Sequence, residues 1–489
     1  MSERPTSLIR RDLPPWGFAA CVMAVVALQV ALILTHDYFV DEWQALLIAV
    51  QSPDLEALLG NLRYEGHPPL WYLFLRGLSA IFGPGSAMRA ASLLCALATI
   101  AIVATRAPLP RWARLAVLFA EPILFEYGTI SRGFTLGITL TFAILALWER
   151  RRAAWPLIAL LPLVDFLFGV VALALIALRW SERRPLWWPG VGAFGLASAV
   201  AAWSVVPAAD FISVYRPSAP LQSLAHWMAG MATVTLPVQW RGGPRWDVAW
   251  DTPAMPLLGI GYFLIAYIQT RGRPVERAVA IGFPLVLLGF MVAVHMFAIR
   301  HLLLVAVVFL IVLWRQGAAS VPMRMPSAAW LAASALCGLA TAGFALTRPF
   351  DTAPQAARAI EALGLERESW LSFPMQHAQG VSVLTSIPFE AVERGCRPEY
   401  VRWNYRHRLT DPVRLRDWLA REAGRGGSFY LLSQYAPATG GPVRHIATVP
   451  PGLDGKVYRI YRVKGDKPGL RAPAPPCVPG NRPLPPFGR

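Results

Sequence analysis

Runs of apolar residues separated by short polar segments dominate the chain between residues 16 and 347. A membrane-spanning helix needs about 20 mostly apolar residues, and fewer where neighbouring helices shelter it. The pattern predicts eleven spans, at 16–35, 87–105, 113–127, 133–148, 154–164, 166–179, 187–206, 254–269, 277–298, 302–314 and 327–347. An odd number places the two termini on opposite sides of the membrane. The pair 154–164 and 166–179 also fits one long helix with Asp165 inside the membrane, which would reverse the later topology.

Three shorter segments are predicted to lie on the membrane surface. Segment 68–82 is apolar, but it is short and carries Arg76 near its middle. We interpret it as an interfacial or half-inserted helix that begins at Pro68 and Pro69, where missing N–H groups cost little. Segments 41–50 and 54–63 have the pattern of two further amphipathic helices.

Composition supports the prediction of many membrane-spanning helices, because 55% of the 489 residues are hydrophobic and only 15% are charged. That balance excludes an ordinary soluble enzyme and is typical of a polytopic membrane protein. The net charge of +17 comes almost wholly from arginine. In a membrane protein such a positive charge indicates arginine-rich cytoplasmic loops and contacts with lipid headgroups or phosphate. It does not indicate nucleic-acid binding, for which the sequence carries no motif.

The arginines cluster in alternate loops of the eleven-span arrangement. All of the following then lie on one side, which the positive-inside rule identifies as the cytoplasm: Arg106, Arg111, Arg114, Arg150, Arg151, Arg152, Arg179, Arg183, Arg184, Arg271, Arg273, Arg277, Arg315 and Arg324. The N-terminus lies on that side too. The loops 36–86, 128–132, 207–253 and 299–301, and everything after residue 347, face the opposite side.

After residue 347 the apolar runs shorten and the charge rises. We predict a transmembrane domain at 1–347, a small soluble α/β domain at 348–467 and a Pro-rich disordered tail at 468–489. Helices are predicted at 354–364 and 412–423, and strands at 381–385, 429–432 and 457–463. If the α/β domain is periplasmic, Cys396 and Cys477 have the opportunity to form a disulfide, although free thiols remain an open alternative.

Polar residues gather just after the first span. Asp41 and Glu42 come first, followed by Glu65 and His67 in the stretch Tyr64–Trp71. Ionisable groups at a membrane boundary are costly, so they suggest a function, and carboxylates there suit general-base chemistry on a lipid substrate. Structural explanations stay open: Asp41 and Glu42 as helix caps, Glu65 and His67 as interfacial hydrogen-bonding groups, Arg132 as a partner of Glu126, and Arg300 as an arginine that extends from a helix end towards water.

The order of these residues carries a resemblance. The acidic pair Asp41-Glu42, the stretch Tyr64–Tyr72 with its His-Pro-Pro, and the polar turn Glu126–Phe134 together resemble the GT-C superfamily of membrane glycosyltransferases. The similarity is greatest to the branch that contains protein O-mannosyltransferases and the lipid A aminoarabinose transferase. It extends over about residues 10–350 and implies a GT-C-like α-helical membrane domain, here followed by an extracytoplasmic α/β domain.

The resemblance implies an inverting transfer from a polyprenyl-phosphate-linked sugar to an envelope glycan, lipid or protein, at the periplasmic face of the inner membrane. Asp41 matches the general base, with Glu42 beside it. The remaining candidates for substrate or phosphate binding are Glu65, His67, Glu126, Tyr127, Arg132, Arg300 and His301. The polar turn departs from the family pattern because it lacks an aspartate, so the second acid is Glu126 or Glu65, or is absent. No catalytic metal or other cofactor is predicted. The alternatives are a transporter or flippase, or a ligase, of lipid-linked glycans.

Overall fold

A computed structural model describes residues 12–182, 187–211, 219–237, 254–294, 297–404, 412–437 and 439–477. Most of them are helical. The α-helices are α1 (Pro15–Thr35), α2 (Val40–Gln51), α3 (Leu55–Leu62), α4 (Leu70–Phe82), α5 (Pro84–Arg106), α6 (Arg111–Phe119), α7 (Gly133–Ala146), α8 (Arg151–Val164), α9 (Phe166–Ser181), α10 (Trp188–Ser204), α11 (Pro220–Thr235), α12 (Ala254–Gln269), α13 (Pro274–Ala293), α14 (Ile299–Leu302), α15 (Leu304–Ala318), α16 (Met325–Thr347), α17 (Ala353–Ala362), α18 (Ala378–Thr385) and α19 (Leu415–Arg425).

Each of the eleven apolar segments overlaps an α-helix, and the three surface segments form α2, α3 and α4. The predicted span 113–127 is not one helix, because α6 ends at Phe119. By length and composition, five of the described helices are able to cross a membrane: α1, α5, α13, the stretch Ile299–Ala318 and α16. This is the architecture of a helical membrane protein, whereas the count of eleven crossings stays a prediction. The single long helix considered for 154–179 is not formed, because Asp165 has an extended backbone and separates α8 from α9.

Helix α11 was not predicted. The segment 207–253 was interpreted as an outer loop, but α11 lies within it. Trp227 of α11 is only 4% exposed and donates from Nε1 to the carbonyl oxygen of Pro284 at 2.9 Å. His226 contacts the carbonyl oxygen of Phe297 at 2.8 Å. His226 and Trp227 interrupt the apolar pattern of α11, and their ring nitrogens contact carbonyl oxygens of the segment before α14 and of α13.

Several helices end together at one end of the bundle. Arg315 of α15 pairs with Glu182, just after α9, at 2.8 Å. Trp148, just after α7, donates to the same carboxylate at 2.8 Å. Gln316 of α15 donates to Glu276, in the first turn of α13, at 2.5 Å. We call this the arginine end of the bundle.

At the other end of the bundle, residues at or just before the starts of α7, α9 and α15 lie close together. We call this the site end. Arg132 precedes α7, Asp165 precedes α9 and Arg300 lies in α14 just before α15. Arg132 and Arg300 share one acidic partner, and Arg132 is linked to Asp165 through His67. Therefore α7, α9 and α15 run side by side from the site end to the arginine end. The sequence had assigned these two groups of residues to opposite sides.

The C-terminal domain contains one mixed sheet. Its strands are β1 (Trp370–Phe373), β2 (Glu390–Ala391), β3 (Phe429–Ser433), β4 (Val443–Val449) and β5 (Tyr458–Val463), in the order β2-β1-β3-β5-β4. The first three are parallel, and β5 is antiparallel to both β3 and β4. Tyr430 and Leu432 pack towards α17 and α18, while Phe429 and Leu431 pack towards α19. Burial on both faces explains why β3 is a continuous apolar run.

One prediction for this domain is wrong, and another is tested only as far as residue 477. Residues 381–385 form α18 and not a strand, because Ala378 and Val381, three positions apart, share the buried face of a helix. The segment predicted as disordered is fixed against the sheet up to residue 477, since Arg471 pairs with Glu390 at 2.7 Å. Cys477 forms a disulfide with Cys396. Residues 478–489 lie outside the described ranges.

Candidate functional site

Asp41 is the centre of the polar cluster at the site end. It lies in the first turn of α2, and its Oδ2 is 2.6 Å from Nη2 of Arg300 and 3.2 Å from Nη1 of Arg132. The three residues come from three separate parts of the bundle, and 259 positions separate Asp41 from Arg300. The Asp41 side chain keeps 35% of its surface exposed. The fold therefore presents one accessible carboxylate between two guanidinium groups.

The charges around Asp41 determine its protonation. Burial raises the pKa of Asp41, but the positive charges of Arg300, Arg132 and Lys456 outweigh that effect and hold the pKa well below its usual range. Asp41 is therefore ionised at neutral pH. A carboxylate in this state accepts a proton only after a cation has moved from it to another anion.

His67 connects Arg132 to Asp165, an acid that was not among the predicted site residues. Nε2 of His67 lies 3.3 Å from Nη2 of Arg132, and Nδ1 lies 3.2 Å from Oδ2 of Asp165. Arginine only donates, so Nε2 is the acceptor and the N–H is on Nδ1, directed at Asp165. Asp165 also accepts from the backbone N–H of Leu167 at 2.9 Å, which caps α9. The chain Asp165, His67, Arg132 fixes the guanidinium beside Asp41.

Glu65 is the second acid of the cluster. Its Oε1 accepts a hydrogen bond from Nε2 of Gln44 at 2.6 Å. Burial raises the pKa of Glu65 to about 7, although Gln44, His67 and Arg132 favour the ionised form. Near neutral pH this carboxyl group is therefore divided between its acid and its base form, unlike Asp41.

We expect Glu65 to make stability depend on pH. The pKa is higher in the folded protein than its ordinary value of 4.5, so folding favours the protonated form and stability falls as pH rises from about 4.5 to about 7. Glu65→Gln is expected to remove this effect, so that the variant gains stability relative to wild type at pH 8 but not at pH 4. Thermal unfolding at both pH values measures it, with the exposed Glu56→Gln as control. Parallel pH curves for wild type and Glu65→Gln would contradict the assignment.

Glu42 has a different environment from its neighbour Asp41. It is fully buried, and its Oε2 accepts from the backbone N–H of Phe39 at 3.0 Å and lies 2.8 Å from Nε2 of His36. Oε1 accepts from the backbone N–H of Ser131 at 2.6 Å. These contacts join the start of α2 to the turn before α7. This position favours a structural role for Glu42 over the predicted catalytic one.

The remaining predicted residues support the cluster to different degrees. Tyr127 donates from its hydroxyl to the carbonyl oxygen of Arg300 at 2.5 Å and stacks on Phe134 with ring centroids 5.4 Å apart, so it positions Arg300. Glu126 is 4% exposed at the end of a π-helical turn, Pro122–Glu126. The ring of His301 lies 5.6 Å from that of Phe134, in an aromatic environment that does not favour its predicted role in phosphate binding.

Gln44 joins the site to the C-terminal domain. Its amide donates to the carbonyl oxygen of Val401 at 2.8 Å and accepts from the Val401 N–H at 2.9 Å. Gln379 of α18 donates to the same amide oxygen. At Gly380 a Cβ atom would lie 2.6 Å from Nε1 of Trp43, so only glycine allows α18 to lie this close to α2. No motif predicted this contact, because its partners are more than 300 positions apart.

Comparisons with known proteins do not assign the chain. No family model matches it, and neither the curated proteins nor the solved structures include a match. Within the described ranges, no group of three or more His, Cys, Asp or Glu side chains is arranged to hold a metal ion. The functional argument therefore rests on the sequence and on the geometry of the cluster.

Proposed function

We propose that this protein is an integral membrane glycosyltransferase that moves a sugar from a polyprenyl-phosphate donor to an acceptor at the site end of the bundle. One observation carries the proposal: an accessible carboxylate, Asp41, lies between two guanidinium groups at the ends of apolar helices. A transfer of this kind needs a base for the acceptor and cations for a leaving phosphate, at the height of the lipid headgroups.

Arg132 and Arg300 are suited to the phosphate. Guanidinium groups bind phosphate oxygens through paired, charge-assisted hydrogen bonds. Both arginines are positioned by hydrogen bonds: the Arg132 guanidinium donates to His67, and the backbone carbonyl of Arg300 accepts from the Tyr127 hydroxyl. When a donor phosphate binds, the arginines move part of their pairing from Asp41 to the phosphate. Loss of these cations raises the pKa of Asp41 and makes it a better base.

The transfer then proceeds in one displacement. The acceptor hydroxyl oxygen forms a bond to the anomeric carbon while the bond from that carbon to the phosphate oxygen breaks. The acceptor proton goes to Asp41, and the electron pair of the broken bond stays on the polyprenyl phosphate, whose oxygens Arg132 and Arg300 bind. Attack from the face opposite the phosphate inverts the anomeric centre.

We further propose that the site end faces the periplasm and the arginine end faces the cytoplasm of the inner membrane. The disulfide between Cys396 and Cys477 supports this orientation, because structural disulfides persist in oxidising compartments. At the other end, Arg315 lies in the last turn of α15, and Arg273 and Arg324 directly precede α13 and α16, as the positive-inside rule requires for a cytoplasmic face.

A turnover assay tests the proposal. Membranes that contain the protein are given a radiolabelled polyprenyl-phosphate sugar and a cell-envelope extract as acceptor. We expect free polyprenyl phosphate and labelled acceptor to appear together, and neither to appear with membranes that lack the protein. Movement of intact labelled donor across vesicles without cleavage would instead indicate a flippase and would overturn the proposal.

A further inference from the structure

The loop between β4 and β5 reaches from the C-terminal domain to the site end. The backbone N–H groups of Leu453 and Asp454 donate to the carbonyl oxygens of Pro349 and Phe350, at 3.0 and 2.9 Å. At Gly452 a Cβ atom would lie 2.3 Å from the carbonyl oxygen of Phe350, so a side chain there would prevent this approach. The loop is therefore fixed to the segment that leaves α16.

Aromatic packing continues this connection to α2. The ring of Phe350 lies 5.8 Å from that of Phe39 and 4.9 Å from that of His36. Phe39 is the N-cap residue of α2, two positions before Asp41. Nζ of Lys456 lies 5.3 Å from the centre of the Phe39 ring, a cation–π arrangement. The loop, the aromatic rings and the start of α2 together bring Lys456 close enough to Asp41 for its charge to lower the pKa of that carboxyl group.

Two acids, Asp454 and Asp351, lie behind Lys456, and Asp454 forms an ion pair with it. Nζ of Lys456 is 3.2 Å from Oδ2 of Asp454, which is fully buried, and the lysine side chain is 16% exposed. Asp351 accepts a hydrogen bond from the Tyr458 hydroxyl at 2.9 Å. Burial and the neighbouring charge of Asp454 raise the pKa of Asp351 above its usual range. The ion pair with Asp454 therefore holds Lys456 in place, while Asp351 lies behind that pair.

We propose that Lys456 is a third phosphate-binding cation, so that the C-terminal domain completes the donor site formed by Arg132 and Arg300. This inference rests on the proposed function for the nature of the ligand. The donor carries one negative charge on its phosphodiester, whereas the released phosphomonoester carries close to two. A third cation beside the guanidinium pair matches the charge that develops as the bond breaks. Lys456 is then a substrate-binding residue supplied by a domain outside the membrane.

Binding to the purified full-length protein in detergent tests this role. The probes are a fluorescent polyprenyl phosphate, the uncharged polyprenol of the same length, and inorganic phosphate. We expect Lys456→Gln to weaken binding of polyprenyl phosphate by about 10- to 100-fold and to leave polyprenol binding unchanged. Lys456→Arg should restore most of the affinity. Lys464→Gln, an exposed lysine just after β5, is the matched control and should bind like wild type.

The outcomes separate this inference from the proposed function. Unchanged affinity in Lys456→Gln, with sugar transfer by wild type, would overturn the role of Lys456 alone. Absence of sugar transfer, with the expected loss in Lys456→Gln, would overturn the transferase and keep the phosphate site. Equal affinity of the protein for inorganic phosphate and for polyprenyl phosphate would contradict the proposal that the ligand of this site is lipid-linked. Intact Cys396–Cys477 cross-linking on a non-reducing gel shows that each variant has a folded C-terminal domain.

Discussion

Asp41→Asn is expected to reduce sugar transfer by roughly 100- to 10,000-fold, the range that a general base contributes. Asparagine has the same shape and keeps an oxygen that accepts from Arg300 and Arg132, so the helix start and the arginine positions are preserved. It is not able to take the acceptor proton at neutral pH. The measurement is kcat/KM with the labelled donor, together with donor binding, which should remain within a few-fold of wild type.

The matched control for this variant is Asp54→Asn. Asp54 is an exposed acid that caps α3 by accepting from the N–H of Ala57 at 2.8 Å. Its replacement should leave turnover unchanged. Turnover of Asp41→Asn at the wild-type rate would refute Asp41 as the general base and support its role as a helix-capping residue. Glu65 would then be the next acid to test. A variant that no longer binds donor would show instead that Asp41 organises the arginines.

Glu42→Ala is expected to lower the free energy of unfolding by about 3 kcal/mol or more. The change removes the acceptor of two buried backbone N–H groups, those of Phe39 and Ser131, and leaves His36 without its partner. Buried donors without acceptors cost about 1–3 kcal/mol each, and loss of one member of a buried pair costs more than the pair contributes. Glu42→Gln keeps one acceptor oxygen and should lose less stability than Glu42→Ala.

Unfolding of the detergent-purified protein by heat or denaturant measures this effect. Glu56→Ala, which changes an exposed acid of α3, controls for the loss of a carboxylate and should unfold like wild type. A Glu42→Ala protein of normal stability that transfers no sugar would contradict the structural role and support the catalytic one. We therefore expect replacement of Asp41 to lower the reaction rate, and replacement of the adjacent Glu42 to lower the stability of the fold.

The helices of the bundle were predictable because a long apolar run has few alternatives in a membrane. The small domain was harder. Residues 381–385 alternate like a strand but fold as α18, since short apolar segments take the structure that their neighbours allow. Strand β1 has only four residues, and β4 contains polar residues at its centre, so neither produced a clear pattern.

The candidate site was predictable only in part. Asp41, Glu65, His67, Arg132 and Arg300 were named from the sequence, and the structure brings Asp41, Arg132, His67 and Arg300 into one chain of contacts. The other partners depend on contacts between distant parts of the chain. Asp165 lies 98 positions after His67, and Lys456 comes from another domain. Such contacts follow from tertiary packing, which a single sequence does not display.

The disulfide has a consequence for the order in which this protein matures. Domains generally fold as units in the order of their synthesis. Helices α1 to α16 precede both cysteines of this bond, which joins positions separated by 81 residues. Lys456 lies inside that loop. On the proposed arrangement, the bundle enters the bilayer first with an open site, and the site is completed after the later segment has been exported, folded and oxidised. The thiol-oxidising capacity of the compartment would then determine when newly made protein becomes active.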